Sequence, residues 1–281
     1  MNNKNLLLIA DSGATKTDWS IVEQGQVVHH FQTKGISPIF QSEEEIATAI
    51  KNDVFPQTGE IGFGRIRFYG SGCIPEKTNN VKRAIRQSFA IDDIEVYSDL
   101  TAAAHALCGH DSGIACILGT GSNSCQWNGE EVVKQVSPLG FILGDEGSGA
   151  SLGKQLVADA LKNQLSPGLK EKLLNQYDLS PSQIIDRVYR QPFPSRFLAS
   201  FSPFLLENID DNTIYQIVEK GFTDFFDRNV MQYDYRENSV NFVGSIAYYF
   251  SDLLFQIAEI RGISIGKIEK SPMQGLIEYY K

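Results

Sequence analysis

The chain has 281 residues, with 34 acidic and 25 basic side chains and a formal net charge of −9. That length makes one large domain or two medium ones and can bury a sizeable core. With 42% hydrophobic and 21% charged residues, wholesale disorder is excluded, and the acidic balance argues against nucleic-acid binding, which needs a basic footprint. No apolar run approaches the roughly 18 residues of a membrane helix. Leu6–Ala10 is too short for a signal-peptide core, and no small-residue cleavage site follows it. The expected location is therefore the cytoplasm, with neither membrane nor nucleic acid as partner. Cys73, Cys108, Cys116 and Cys125 form no C-x-x-C pair and read as buried free thiols.

Leu6–Ala10 reads as a buried strand, followed by the polar turn Asp11-Ser12-Gly13-Ala14-Thr15-Lys16-Thr17. Asp18–Val22 and Val27–Phe31 are the next strands, joined at Gln24-Gly25. Ser42 with Glu45 forms a capping box that opens one helix carrying Ile46, Ala47, Ile50 and Val54. Ile66–Tyr69 is a short strand ending in Gly70-Ser71-Gly72, and a helix near Thr78 turns Val81, Ala84, Ile85 and Phe89 inward. Ile94–Tyr97 is a strand, Ser98-Asp99 leads into the helix Leu100–Cys108, and Gly109 ends that helix as a left-handed cap.

Then the pattern restarts. Ile114–Leu118 is a buried strand, Gly119-Thr120-Gly121-Ser122-Asn123 a polar turn, Ser124–Trp127 a strand, Asn128-Gly129 a hairpin turn and Glu131–Val136 a third strand. The element order repeats that of the opening segment, which predicts two similar α/β lobes, 1–110 and 111–281, with the last helix packing back on the first. A helix begins within Gly147–Leu161, residues 162–240 look mainly helical, and Asn241–Val243 is a strand. Gly244-Ser245 then leads into one helix bearing Ile246, Tyr249, Phe250, Leu253, Leu254 and Ile257. Phe201, Phe204, Phe225 and Phe226 read as core, with a homodimer interface as the alternative.

Four loops can carry chemistry. The turns at Asp11–Thr17 and Gly119–Asn123 bring backbone N–H groups close to an anion with little side chain in the way, so two of them can hold nucleotide phosphates. Lys16 adds a positive charge, and Asp11 can hold Mg²⁺ through water. Asp99, at a helix N-terminus that favours its ionised form, is either a plain cap or a general base. Gly140–Ser148 sets Asp145 and Glu146 between glycines. Asp145 can accept hydrogen bonds from sugar hydroxyls, while Glu146 can serve the following helix.

Together these segments resemble the BadF/BadG/BcrA/BcrD-type ATPases of the sugar kinase, hsc70 and actin superfamily, in their N-acetylglucosamine kinase-like branch. Asp11–Thr17 is similar to the first phosphate loop, D-G-G-x-T-K-T, with Ser12 in place of a glycine. Gly119–Asn123 resembles the second phosphate loop, and Phe242–Ser245 resembles the adenosine motif. The most specific match is Gly144-Asp145-Glu146-Gly147-Ser148, the G-D-E-G-S motif. Thr33–Pro38 resembles T-x-G-x-N-P, with Ser37 in place of the asparagine that touches sugar.

The resemblance implies a two-lobed actin-like (ribonuclease H-like) α/β fold with a nucleotide cleft. It implies an ATP- and Mg²⁺-dependent kinase acting on the 6-hydroxyl of an amino sugar, N-acetylglucosamine or a relative such as N-acetylmuramic acid. Asp99 would be the catalytic base and Asp11 would serve Mg²⁺. Ser12, Gly13, Thr15, Lys16, Gly119, Thr120, Gly121 and Ser122 would hold phosphates, and Gly244 and Ser245 the adenosine. Ser37, Asp99, Thr120, Asn123 and Asp145 would meet the sugar. Two other readings compete. One is an iron–sulfur ATPase activator of a dehydratase or reductase, drawing on Cys108, Cys116 and Cys125; the other is a sugar-sensing regulator, for which no basic helix-turn-helix segment is found.

Overall fold

The computed structural model describes residues 2–13, 15–59, 62–89 and 91–281. Ala14, inside the first polar turn, lies outside the described residues. The chain divides into two compact units, Met1–His110 with Pro272–Lys281, and Asp111–Ser271.

In the first unit β1 (Asn2–Ser12), β2 (Lys16–Glu23) and β3 (Gln26–Lys34) form an antiparallel meander. β4 (Gly62–Gly70) joins β1 in parallel, and β5 (Ile94–Ser98) joins β4 likewise, for an order of β3-β2-β1-β4-β5. The central strand β1 buries Leu6–Ala10 and continues beyond that apolar run, because neighbours on both sides bond its backbone. β3 is an edge strand with only Phe31 buried, stacked on Trp19 at 6.0 Å.

The Ser42–Glu45 capping box is present at the start of α1 (Glu43–Ala49). The single helix expected from Ser42 to Val54 is instead α1, a π-helical turn (Ile50–Val54) and α2 (Phe55–Thr58). Pro56 lacks the N–H that would bond the Asn52 carbonyl, and the helix widens just ahead of it. α3 (Pro75–Phe89) buries Val81, Ala84 and Ile85 as its pattern predicts. α4 (Asp99–Cys108) begins at a Ser98 cap whose hydroxyl accepts the Thr101 N–H at 3.1 Å. Gly109 has φ 63° and ψ −124°, so it ends α4 with positive φ and extended ψ, not with the left-handed helical geometry expected.

In the second unit β6 (Gly113–Leu118), β7 (Ser122–Trp127) and β8 (Val132–Val136) again form an antiparallel meander. Ser122 and Asn123, expected in the turn, already belong to β7, so the turn proper is Gly119-Thr120-Gly121. The turn after β7 spans 128–131, wider than a two-residue hairpin, because Asn128 Oδ1 accepts the N–H groups of Glu130 and Glu131 at 2.9 and 2.8 Å.

Helices α5 (Gly140–Leu143), α6 (Gly149–Leu161), α7 (Leu169–Tyr177), α8 (Pro181–Tyr189), α9 (Pro194–Ala199), α10 (Ser202–Glu207) and α11 (Asn212–Arg228) follow. β9 (Val240–Val243) and β10 (Ile265–Glu269) complete an order of β8-β7-β6-β9-β10, which repeats the topology of the first sheet. Phe201, Phe204, Phe225 and Phe226 are all fully buried, which rules out the interface role that exposure would require. The one helix expected after Gly244 is two, α12 (Ser245–Tyr249) and α13 (Ser251–Ile260), because Phe250 leaves the helical conformation and buries its ring edge-on against Phe222. The final helix, α14 (Met273–Tyr279), belongs to the first unit. Among the described residues no helix is long and apolar enough to cross a membrane.

Tyr233 pins the second meander. Its buried hydroxyl accepts the Val136 N–H at 2.8 Å and donates to the Ser124 carbonyl at 2.9 Å. Tyr233→Phe leaves that N–H without its partner and is expected to cost about 1–3 kcal/mol, read as a lower urea midpoint at unchanged slope.

Candidate functional site

In the first unit the parallel register aligns Ser12 with Gly70 and Gly70 with Ser98. The carboxyl ends of β1, β4 and β5 therefore lie side by side, and Asp11, Ser71 and Asp99 come together from three distant parts of the chain. Such strand ends are the usual ligand positions of open α/β sheets.

Asp99 is the first residue of α4, half-buried. Its carboxylate accepts the Leu100 N–H at 2.9 Å, and the nearby Ser71 hydroxyl also favours its ionised form. Burial nevertheless outweighs these effects and raises its proton affinity above the usual carboxylate range. Ser71 was not singled out by the sequence, where Gly70-Ser71-Gly72 reads only as a strand end. The strand register, which sets Gly70 beside Ser98, brings it near Asp99.

Asp11 is raised as well, from 3.8 to about 7, by burial first and then by the charges of Asp18 and Asp99, against Lys16. Lys16 is itself paired to Asp18 at 2.9 Å and is largely exposed. Gly13 and Thr15 are exposed, with the Gly13 N–H turned onto the Lys16 carbonyl at 3.0 Å.

Ser12 is placed differently from a phosphate-binding hydroxyl. Its Oγ is buried, donates to the Ile36 carbonyl at 2.9 Å, accepts the Ile36 N–H at 2.9 Å and meets Thr17 Oγ1 at 2.6 Å. Ser37 follows directly; its hydroxyl donates to the Ser71 carbonyl at 3.3 Å. The Thr33–Pro38 segment is thus fastened to the same strand ends that hold Asp99.

In the second unit β6 and β9 are parallel with Ile117 opposite Val243, so Gly119 and Gly244 lie together at their carboxyl ends. Gly244 has φ 124°, and a Cβ there would stand 2.2 Å from the Leu118 carbonyl oxygen, so no other residue fits. A Cβ at Gly119 would meet nothing within 4 Å, which leaves the backbone open to a ligand. Thr120 and Ser245 are exposed beside it, and Ser122 is buried.

The turn is zipped to the start of α6: Gly149 and Ala150 N–H groups donate to the Gly119 and Thr120 carbonyls at 2.8 and 3.0 Å. Those carbonyls are thereby tied down, away from any anion. Asn123 Oδ1 accepts the Ser124 N–H and the Gln135 amide at 2.9 and 3.2 Å.

The Gly144–Ser148 segment splits its polar groups three ways. Asp145 adopts φ 54°, a left-handed conformation that Asp tolerates, and its carboxylate sits against the turn with the Ser122 N–H 3.4 Å from Oδ1. Burial raises its proton affinity. Glu146 does not cap α6 as the sequence suggested. It pairs with Arg228 at 3.0 Å, while the buried Ser148 is the cap, accepting the Ser151 N–H at 3.2 Å. The apolar residues before Asp145 form the short helix α5, with Ile142 and Leu143 exposed.

Among the described residues no group of three or more His, Cys, Asp or Glu side chains is arranged to hold a metal ion. Asp11 suits the looser demand of Mg²⁺, which keeps most of its waters and takes one or two carboxylates with phosphate oxygens. The negative charge crowded onto Asp11, Asp18 and Asp99 would be relieved by a cation. Cys73, Cys116 and Cys125 are buried and Cys108 is half-buried, and none of the four is in a disulfide.

No protein-family model matches the chain, and no curated protein matches it. Among solved structures, a "putative N-acetylglucosamine kinase" from Porphyromonas gingivalis is 46% identical over 98% of either chain, with a TM-score of 0.95. A protein of the same description from Chromobacterium violaceum is 18% identical over 99% of either chain, with a TM-score of 0.75. A ROK-family glucokinase from Streptomyces griseus, solved with glucose and AMPPNP, is 18% identical over 98% of this chain and 97% of its own, with a TM-score of 0.59. The last two likenesses concern the fold alone, which is the α/β fold expected from the repeated meanders.

The Asp11 carboxyl binds its proton more tightly in the folded chain than in the unfolded one. Its contribution to stability is therefore complete below pH of about 4 and is lost as pH rises through about 7. Without Mg²⁺, Asp11→Asn is expected to exceed the parent in stability above that range by up to about 4 kcal/mol, with the gap closing in acid. Urea titrations of both proteins across the range check this.

Proposed function

The chain belongs to the same family as the Porphyromonas gingivalis protein, and on that premise we propose that it is an ATP-dependent kinase of amino sugars, acting on the 6-hydroxyl. N-acetylglucosamine, or a cell-wall relative such as N-acetylmuramic acid, is the substrate we favour, in the cytoplasm. The Gly144–Ser148 motif supports the BadF/BadG/BcrA/BcrD-type branch. The observation that carries the reading is Asp99, a half-buried carboxylate at the first turn of α4, held by the Leu100 N–H and set beside Ser71 and Asp11.

In this reading Asp99 orients the sugar hydroxyl and accepts its proton as the oxygen attacks the γ-phosphorus. The new O–P bond forms while the bond to the bridging oxygen breaks, and ADP leaves. Burial makes Asp99 a stronger base than a solvated carboxylate, while the Leu100 N–H and the α4 N-terminus oppose that rise. Phosphoryl transfer asks mainly for positioning and charge neutralisation. The turns carrying Ser12, Gly13, Thr15 and Lys16, and Gly119, Thr120, Gly121 and Ser122, serve the phosphates; the Ser12 hydroxyl and the Gly13, Gly119 and Ser122 N–H groups are bonded within the chain and shape the turns.

Gly244 and Ser245 take the adenosine; Ser37, Thr120, Asn123 and Asp145 take the sugar. Asp11 would hold Mg²⁺, through water, and the ion would neutralise phosphate charge. ADP release with MgATP, screened over amino sugars with and without N-acetyl and lactyl groups, tests the activity. Asp99→Asn is expected to lower turnover at least about a hundredfold while ATP still binds. Near-normal turnover removes Asp99 as base, and folded protein that releases no ADP with any sugar overturns the kinase reading.

A further inference from the structure

The first unit contains a buried polar chain that the proposed chemistry does not use. Tyr69, on β4, is fully buried. Its hydroxyl meets His105 Nδ1 at 2.8 Å and the Tyr280 hydroxyl at 2.6 Å. His105 lies on α4, six positions after Asp99, and Tyr280 is the residue after α14. Burial, with a smaller effect from His110, brings His105 down to about 4, so near neutrality its ring is uncharged and offers one donor and one acceptor.

Aromatic faces enclose the chain. Tyr279 stacks on His105 at 4.0 Å, Tyr97 stacks on Tyr69 at 5.1 Å, and Arg67 lies over the Tyr280 ring at 5.7 Å. α14 also approaches α4 backbone to backbone: a Cβ at Gly275 would stand 2.2 Å from the Ala106 carbonyl oxygen.

The arrangement links the elements on either side of the Asp99 carboxylate. Tyr69 stands two residues before Ser71, which lies near Asp99 at the end of β4, and His105 is on the helix that Asp99 begins. Between them α4 buries mostly alanines, Ala102, Ala103, Ala104 and Ala106, whose short side chains give shallow ridges and fix rotation about the helix axis weakly. A turn of about 10° about that axis moves a side-chain tip by about 1 Å, given a helix radius of about 5–6 Å with side chains. A misplacement of about 1 Å can cost about a hundredfold in rate. The polar chain opposes that rotation, because turning α4 would strip a buried tyrosine hydroxyl of its partner.

We propose that Tyr280, Tyr69 and His105 are positioning residues: the C-terminal helix, through this hydrogen-bond chain, sets the rotation of α4 and so the placement of the Asp99 carboxylate against Ser71. The proposal rests on the reading of Asp99 as the base.

The test combines Tyr69→Phe with Asp99→Asn. Tyr69→Phe removes the hydroxyl that both His105 and Tyr280 meet and keeps the ring stacked on Tyr97, so it is expected to fold. Gly275→Ala, which pushes α14 off α4, serves as the second disruption. Each is expected to lower kcat for sugar-dependent ADP release by about tenfold or more, with KM for sugar and ATP within about twofold. In an Asp99→Asn background Tyr69→Phe is expected to have no further effect, because it acts through that carboxylate.

The Asp99 carboxyl 13C signal gives a readout without turnover: it is expected to move in Tyr69→Phe as α4 turns and the carboxylate changes its surroundings off the helix. Unchanged kcat in both single variants, an undiminished Tyr69→Phe effect without Asp99, or an unmoved Asp99 signal overturns the proposal. Near-normal turnover of Asp99→Asn alone instead removes the base reading. If no sugar is turned over, the kinase reading fails by itself, and the Asp99 signal alone decides whether the chain sets this carboxylate.

Discussion

Parallel pairing of β1, β4 and β5 is the constraint from which the candidate site follows. Each strand ends in a residue that turns the chain out of the sheet: Ser12, Gly70 and Ser98. Because the three are in register, whatever follows each end is delivered to one edge. A slip of one position would turn every side chain to the opposite face and send Asp11 into the apolar interior. The packing that prevents this slip is ordinary, with Leu8 and Ala10 on one face of β1 and Leu7 and Ile9 on the other. Chemistry at the strand ends is thus secured by hydrophobic contacts along the strands, well away from any reacting group. The second sheet uses the same device at Leu118 and Val243, with Gly244 letting the two chain ends touch.

The site is held at an electrostatic cost. Asp11 and Asp99 are both raised by burial, and Asp11 also feels the charges of Asp18 and Asp99. A chain selected for stability alone would place a lysine or arginine between them. Lys16 comes nearest to that role, but its ammonium is engaged with Asp18 at the exposed edge. By contrast, Glu146 in the second unit has its arginine, Arg228, and acts as a strut. Of the two adjacent acids in Gly144–Ser148, one is paired and structural while the other, Asp145, is left against the turn with a weak backbone contact. That division tells the functional acid from the structural one, which spacing alone cannot do.

Much of the fold is legible in the chain because its signals are local. The Ser42–Glu45 capping box, the buried runs of β1 and β6, and the repetition of a three-strand meander around a polar turn all follow from short-range patterns. Features that depend on distant partners are not legible. Ser71 looks like filler between two glycines until the β1–β4–β5 register brings it near Asp99. β10 is an edge strand without a buried residue, so alternation gives it no signal. The helix breaks at Pro56 and Phe250 are of two kinds: the first follows from a missing N–H, and the second from a ring that gains more by burial against Phe222 than the helix loses. Glu146 was misread as a cap because its partner Arg228 lies 82 positions away in sequence.

Two serines show how substitution within a motif can change what a loop offers. The resemblance puts a glycine at Ser12 and an asparagine at Ser37. At position 12 the added hydroxyl does not project outward; it bonds both backbone groups of Ile36 and so ties the end of β1 to the Thr33–Pro38 segment. At position 37 the shorter side chain turns its one proton onto the Ser71 carbonyl. An asparagine amide has two donors and an acceptor on a longer arm and could make such a contact while still reaching a ligand; a serine whose proton is already committed cannot donate again. The two changes act in the same direction. The loop is more firmly attached to the strand ends that carry Asp99, and it presents fewer polar groups outward. Whatever the loop contributes to recognition then comes from its shape and its apolar neighbours Ile39 and Phe40, which are exposed, more than from directed hydrogen bonds.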